Sequence, residues 1–275
     1  MNLRLFTRSL TTIALTLFSF MGIVKTGNAE TLIYSGKPST ILVDTLCNEK
    51  PDITELIFVF DKGQDGIKSG WMYGERISTT RFNVKSVGKY DADRAVSAHY
   101  KLPTSSMELK PIKGGYRATI LDYIPEDKEL RKDICFCKKL VVNLRPKKGS
   151  ADKYIDRAKV LYSSELILLE GMDLAYKQKD YRGAEAKGYE ALKMIEPLFG
   201  KNSKESFSAS GLISLALALM ERYDEALEII APYVNSMPND DVIIDFVKDL
   251  EIIKKEQDEL FKSDPDSNVE MPPVG

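Results

Sequence analysis

Glu55-Leu56-Ile57-Phe58-Val59-Phe60-Asp61, followed by Lys62-Gly63-Gln64-Asp65-Gly66, decides how the first half of this chain folds. The run has the length of a strand, and β-branched and aromatic side chains fill it. The two glycines and their polar neighbours supply a turn at its end. Similar short runs lie on both sides, at 31–34, 40–44, 71–73, 76–84, 95–100, 115–123 and 134–144. Turn signals separate them at Ser69-Gly70, Gly88, Leu102-Pro103, Gly114-Gly115 and Ile124-Pro125. No amphipathic helix interrupts the series, which argues against a βαβ parallel sheet. The spacing suits a β-sandwich or a small barrel. Residues 30–145 are expected to form an all-β, sandwich-like domain.

The pattern changes beyond Pro146-Lys147-Lys148-Gly149-Ser150, so 146–151 reads as a linker. From there the apolar residues follow a helical period. Leu168, Met172 and Ala175 recur at four and three residues, and Ala184, Gly188, Ala191 and Ile195 at four, three and four. Pro197 and Gly200 end that second helix, and Asn202 with Glu205 reads as a capping pair for the next. That next helix runs through Gly211 to Met220, and Ala226, Ile230 and Tyr233 stripe the one after it. Pro238 stops that stripe, and Asn239 or Asp240 starts a last helix with Ile243, Val247 and Leu250 inward. Residues 152–261 are expected to form an all-α domain, with a leading helix near 152–162 and a closing one near 241–260. Residues 262–275 carry three prolines and no period, and read as a disordered tail.

Arg4 and Arg8 precede a charge-free, mostly apolar stretch from Leu10 to Val24, and Gly27-Asn28-Ala29 follows with small residues. This is the pattern of a bacterial-style secretory signal peptide, 1–29, cleaved after Ala29. The apolar stretch falls short of the roughly 20 residues a spanning helix needs. The mature chain is therefore expected to be exported, periplasmic or secreted, and not integral to a membrane. Residues 30–150 hold 21 Lys+Arg against 16 Asp+Glu, a net of +5, while 151–275 hold 15 against 25, a net of −10. The acidic half has no face for phosphate, so no nucleic-acid partner is expected. Cys47, Cys135 and Cys137 all lie in the basic half. An exported chain can keep a disulfide, and an odd count leaves one thiol free or paired between molecules.

Lys179-Asp180-Tyr181-Arg182-Gly183-Ala184 returns 42 residues later as Glu221-Arg222-Tyr223-Asp224-Glu225-Ala226. In both copies Tyr precedes Ala by three, just after a helix turn. This resembles the tetratricopeptide repeat (TPR), and over about 160–238 the longer, 42-residue repeats of kinesin-light-chain type. Ala191-Leu192-Lys193-Met194-Ile195-Glu196, with Leu198-Phe199-Gly200 behind it, resembles that family's second helix and turn. The sequence departs from the pattern where the turn glycine is Lys179 and Glu221, and where the second small position is Tyr233. The resemblance implies helix pairs packed through Tyr181, Ala184, Ala191, Tyr223 and Ala226. It also implies a groove for a protein partner, lined by Leu166, Leu169, Asp173, Tyr176 and Lys177, then by Ser208, Leu212, Leu215 and Leu219. Either a partner segment or another part of the chain would cover the apolar second set. In the first half, Leu140–Leu144 after Gly115–Tyr123 is faintly similar to the end of AMIN domains of bacterial envelope assemblies.

Candidate chemistry is sparse. Cys135 and Cys137 stand two apart, so on a strand both sulfurs share a face. They could bind a soft metal or exchange disulfides, but a structural bond from one of them to Cys47 is the simpler reading. Asp61 to Gly66 opens like a calcium loop, yet Gly63 and Met72 stand where oxygen ligands belong, and it reads as a turn. His99, the only histidine, reads as structural. Trp71 could stack on a glycan, though core packing is the plainer role. No catalytic residue, metal or cofactor is expected. The reading is a non-catalytic exported adaptor or assembly factor, mediating protein–protein interaction in a bacterial cell envelope. The rivals are a thiol or metal protein acting through Cys135 and Cys137, and a glycan binder.

Overall fold

In a computed structural model of the chain, residues 30–45, 53–74, 77–128, 131 and 137–263 are described. The expected signal peptide, Cys47, Cys135 and residues 264–275 of the expected tail lie outside them.

The first half is one antiparallel sheet that closes on itself. Its strands are β1 (Glu30–Gly36), β2 (Pro38–Val43), β3 (Leu56–Gly63), β4 (Gly66–Gly74), β5 (Ile77–Ser86), β6 (Lys89–Arg94), β7 (Ser105–Ile112), β8 (Gly115–Leu121) and β9 (Cys137–Pro146). From β3 to β9 each strand pairs with the next in sequence. β1 pairs with β3, Ile33 opposite Val59, while the outer edge of β9 takes Tyr34 of β1 opposite Pro146 and Ile41 of β2 opposite Leu140. β1 and β2 are two halves of one strand bent at Gly36-Lys37, so the sheet is an eight-stranded barrel. At the bend a Cβ on residue 36 would overlap the carbonyl oxygen of Asn143, which explains the glycine.

Closure corrects the expected sandwich, and with it the AMIN-like similarity of 115–123 and 140–144, which form β8 and β9 of the barrel wall. Inward-facing residues alternate alike in a sandwich and a barrel. What distinguishes them is the bend that lets one strand pair on both edges. The interior is filled by side chains, as barrels of this size allow. Phe58, Phe60 and Phe82 are fully buried there, with the Phe60 and Phe82 rings 5.4 Å apart. Leu56, Met72, Met107, Leu140, Val142 and Leu144 complete the packing.

Six helices are described: α1 (Ala95–His99), α2 (Ala151–Asp173), α3 (Tyr181–Phe199), α4 (Lys204–Leu219), α5 (Tyr223–Ser236) and α6 (Asp241–Ser263). A π-helical turn, Leu174–Gln178, extends α2. The segment 95–100, expected as a strand, is the short helix α1. β6 stops at Arg94, whose guanidinium forms a buried ion pair with Asp122, and the Leu102 N–H donates to the Ser97 carbonyl to turn the chain. The expected capping pair at Asn202 also shifts by one residue: Ser203 caps α4 by accepting the Ser206 N–H at 3.2 Å.

The helices do not form a TPR array. The leading helix expected near 152–162 and the first helix of the presumed repeat are one continuous helix, α2, of 23 residues. No Pro or Gly interrupts it before Gly171, and the barrel supports its first half. There Tyr154, Ile155, Ala158 and Leu161 pack on Ile33, Ile57, Val59, Trp71 and Tyr73, the outer face of the barrel. Further along, Leu168 joins Ala175, Ala184, Leu212 and Ala216 in the helical core. α2 thus belongs to both halves. Successive helices then pack in order from α2 to α6. α3 and α4 approach closely at Gly188, where a Cβ would overlap the buried Ile213 side chain.

Candidate functional site

α4 is the most enclosed helix. Ala209, Ser210, Ile213, Ser214, Ala216 and Leu217 are buried among its neighbours. Its buried hydroxyls are satisfied: Ser210 Oγ lies 2.7 Å from the Tyr233 hydroxyl, which also donates to Ser206 Oγ at 3.1 Å, and Ser214 donates to the Ala226 carbonyl at 2.8 Å. The bulky Tyr233, at the position where a repeat would have a small residue, is thereby accommodated by serines.

One stripe of α4 escapes this enclosure: Lys204, Ser208, Gly211, Leu215 and Leu219, spaced at four, three, four and four residues. Leu219 is 37% exposed, Leu215 is half-buried, and the space a side chain at 211 would take is open. Leu212, expected in the same lining, turns inward and packs on Gly171 of α2. On α2, Leu166 and Leu169 are half-buried, while Met172, expected on the buried side, is 43% exposed. Beyond it Tyr176 and Lys177 are exposed on the π turn. The packing residues lie inside: Ala184, Ala191 and Ala226 are fully buried. Tyr181 packs with Ala184 and Leu212, and Tyr223 with Ala226 and Leu250.

Asp173 marks where the helical layer meets the barrel. Its carboxylate lies 3.2 Å from His99 Nε2, and Lys177 reaches it at 2.8 Å. The Lys177 ammonium also sits over the Tyr100 ring, 5.0 Å from the centroid. Burial works to raise the Asp173 carboxyl, and the Lys177 and His99 partners outweigh it, leaving it below its ordinary value. Further along the seam, Tyr162 donates to Asp93 at 3.0 Å, and Glu165 accepts the Thr79 N–H at 2.9 Å. Trp71 lies in the same seam, its ring met edge-on by Tyr162 and covered by the Arg81 guanidinium. Its faces are engaged with the protein itself.

These residues supply shape, apolar contact and a charged margin, which is the chemistry of binding. Sequence reasoning missed Gly211 and Met172, although the four-three-four-four spacing through Lys204 and Leu219 was there to be read. Among the described residues no helix is long and apolar enough to cross a membrane, and no group of three or more His, Cys, Asp or Glu gathers to hold a metal. Cys137 begins β9 opposite Val43.

No protein-family model matches the chain, and no curated protein matches it significantly. With the fused α2, this removes the support for the TPR resemblance.

Proposed function

We propose that this chain is an exported, non-catalytic adaptor of a bacterial cell envelope, whose helical layer docks an apolar segment of a partner protein along α4. The observation that carries the reading is the stripe from Ser208 to Leu219. A helix enclosed on its other sides keeps one apolar line open, with a glycine leaving room at its centre. Docking of a partner segment into a groove between helices is a recurrent mode of recognition. Export is supported by the N-terminal sequence. Glu30 is opposite Lys62 in the β1–β3 ladder, a pair that cleavage after Ala29 would leave intact.

A photo-crosslinking side chain at position 215, expressed in the native host, tests the proposal. The expected result is one discrete adduct with an envelope protein, identified by mass spectrometry and lost in Gly211→Arg. That substitution fills open space and raises helix propensity, so the fold survives it. An adduct that persists in Gly211→Arg, or no adduct, overturns the reading. Unfolding of the Leu215→Asp/Leu219→Asp double variant would show the stripe to be core and overturn it as well.

A further inference from the structure

The barrel carries a second surface, at the end away from α1. Because the sheet is a meander, the turns β3–β4, β5–β6 and β7–β8 all fall at that end. Val87, at the tip of the β5–β6 hairpin, is 96% exposed, and Val84 on its shaft is 47% exposed. A solvated two-residue turn ordinarily places Asn, Asp or Gly there, since an exposed valine gains nothing from water. The hairpin is held in place: the Leu109 N–H donates to the Gly88 carbonyl at 2.8 Å, and the Tyr90 hydroxyl donates to the Ile67 carbonyl at 3.3 Å.

Exposed lysines share this end of the barrel. Lys85 and Lys89 stand on the same hairpin, Lys68 on β4, Lys110 on β7 and Lys113 on the β7–β8 turn. Acids are fewer at this end. Asp91 lies 3.1 Å from Lys85, Glu108 lies 3.0 Å from Lys110, Asp61 stands on β3 and Asp65 on the β3–β4 turn. Glu30 lies beside Lys62 at the same rim, and Arg117 and Arg145 extend the positive charge down the wall. Lys110 and Arg117 are directly opposed across β7 and β8. Glu108 offsets part of the repulsion between them, and an anionic partner would relieve the rest.

We infer that this end of the barrel docks on an anionic lipid surface, Val87 entering the interfacial layer and the lysines meeting headgroup phosphates. An apolar tip within a cationic ring fits a bilayer, where apolar and anionic layers lie at adjacent depths. The acidic surface of another protein would satisfy the lysines and leave the valine without a place. α2 packs on the flank formed by β1, β3, β4 and β5 and runs to α1, so the docked barrel would present the helical layer away from the lipid. The inference is independent of the reading of α4.

Co-sedimentation of the mature chain with vesicles tests it, comparing neutral phosphatidylcholine with phosphatidylcholine containing phosphatidylglycerol. Binding is expected only to the anionic vesicles, and to weaken as salt rises toward about 0.5 M. Lys85→Glu/Lys89→Glu/Lys113→Glu should lower partitioning by about tenfold or more. Val87→Asp, at a position too exposed to affect folding, should lower it about fivefold. Gly211→Arg and Lys193→Glu, on the helices, should leave it unchanged. Failure to bind anionic vesicles, equal binding to neutral ones, or indifference to the Val87 and lysine variants overturns the inference. Self-association in sedimentation velocity that the lysine variant abolishes, without vesicle binding, would assign the surface to the acidic helices of a second copy and overturn it too.

Discussion

Asp44 has the most decisive environment of any single residue. It is 1% exposed, and Arg131 holds it with two hydrogen bonds of 2.5 and 2.7 Å, with Lys138 at 3.4 Å. The Arg131 hydrogen bond holds its carboxyl well below the usual carboxylate range, against the opposing effect of burial. A depressed folded value means the stabilisation is complete above the unfolded carboxylate pKa of about 3.9 and is lost as pH falls through the lower folded value. Urea midpoints of wild type and Asp44→Asn should therefore differ at neutral pH and converge below about pH 4. A constant difference would show that the charge is not what matters. Arg131→Ala leaves the buried carboxylate with only the more distant Lys138 as a cationic partner and should destabilise the fold at neutral pH.

At the scale of elements, the sequence was most legible where one physical cause dominated. The run through Phe58 and Phe60 read as a strand, but its lack of alternation had a second cause: Phe58 and Phe60 fill the barrel while Ile57 and Val59 lie under α2. Strands buried on both faces read as continuous apolar runs. β6 went unread because its inward residues are Tyr90, Ala92 and Arg94 between charges. β7 carries Pro111 and alternates its buried Met107 and Leu109 with Ser106, Glu108 and Lys110. The similarity of Tyr181 and Tyr223 marked two real helix starts, yet could not reveal that α2 runs unbroken onto the barrel. Helix contacts at Gly188 yield a prediction of their own. Gly188→Ala should destabilise by about 1–3 kcal/mol through overpacking against Ile213. A neutral Gly188→Ala in urea denaturation would refute that close approach. The pairing of Val43 with Cys137 sets the ends of β2 and β9 side by side. We propose that Cys47 is joined to Cys135 or Cys137, although among the described residues no cysteines stand at disulfide distance, and non-reducing peptide mapping tests it. Three free thiols would dismiss the bond.

Barrel and helices are sequence neighbours with opposite charge, but what joins them is α2, lying apolar on the wall and tied to it by a few half-buried polar groups. Glu165 is the most consequential of these for the molecule as a whole. Burial raises its carboxyl above the ordinary value, and hydrogen bonds from Ser78 and Thr79 only partly oppose that. With a raised folded value, the folded state holds a proton the unfolded state has released, so stability falls as pH rises from about 4.3 through the folded value. Glu165→Gln keeps an oxygen for the Thr79 N–H and removes the buried charge. It should therefore leave stability near pH 4 almost unchanged and raise it at neutral pH. Because α2 is shared, the gain should appear in strand and helix signals together, as one cooperative transition. Separate transitions for near-ultraviolet barrel signals and far-ultraviolet helix signals, with only one of them moved by Glu165→Gln, would mean that the seam does not couple the halves. The helical face and the barrel end would then have to be treated as surfaces of two independent bodies.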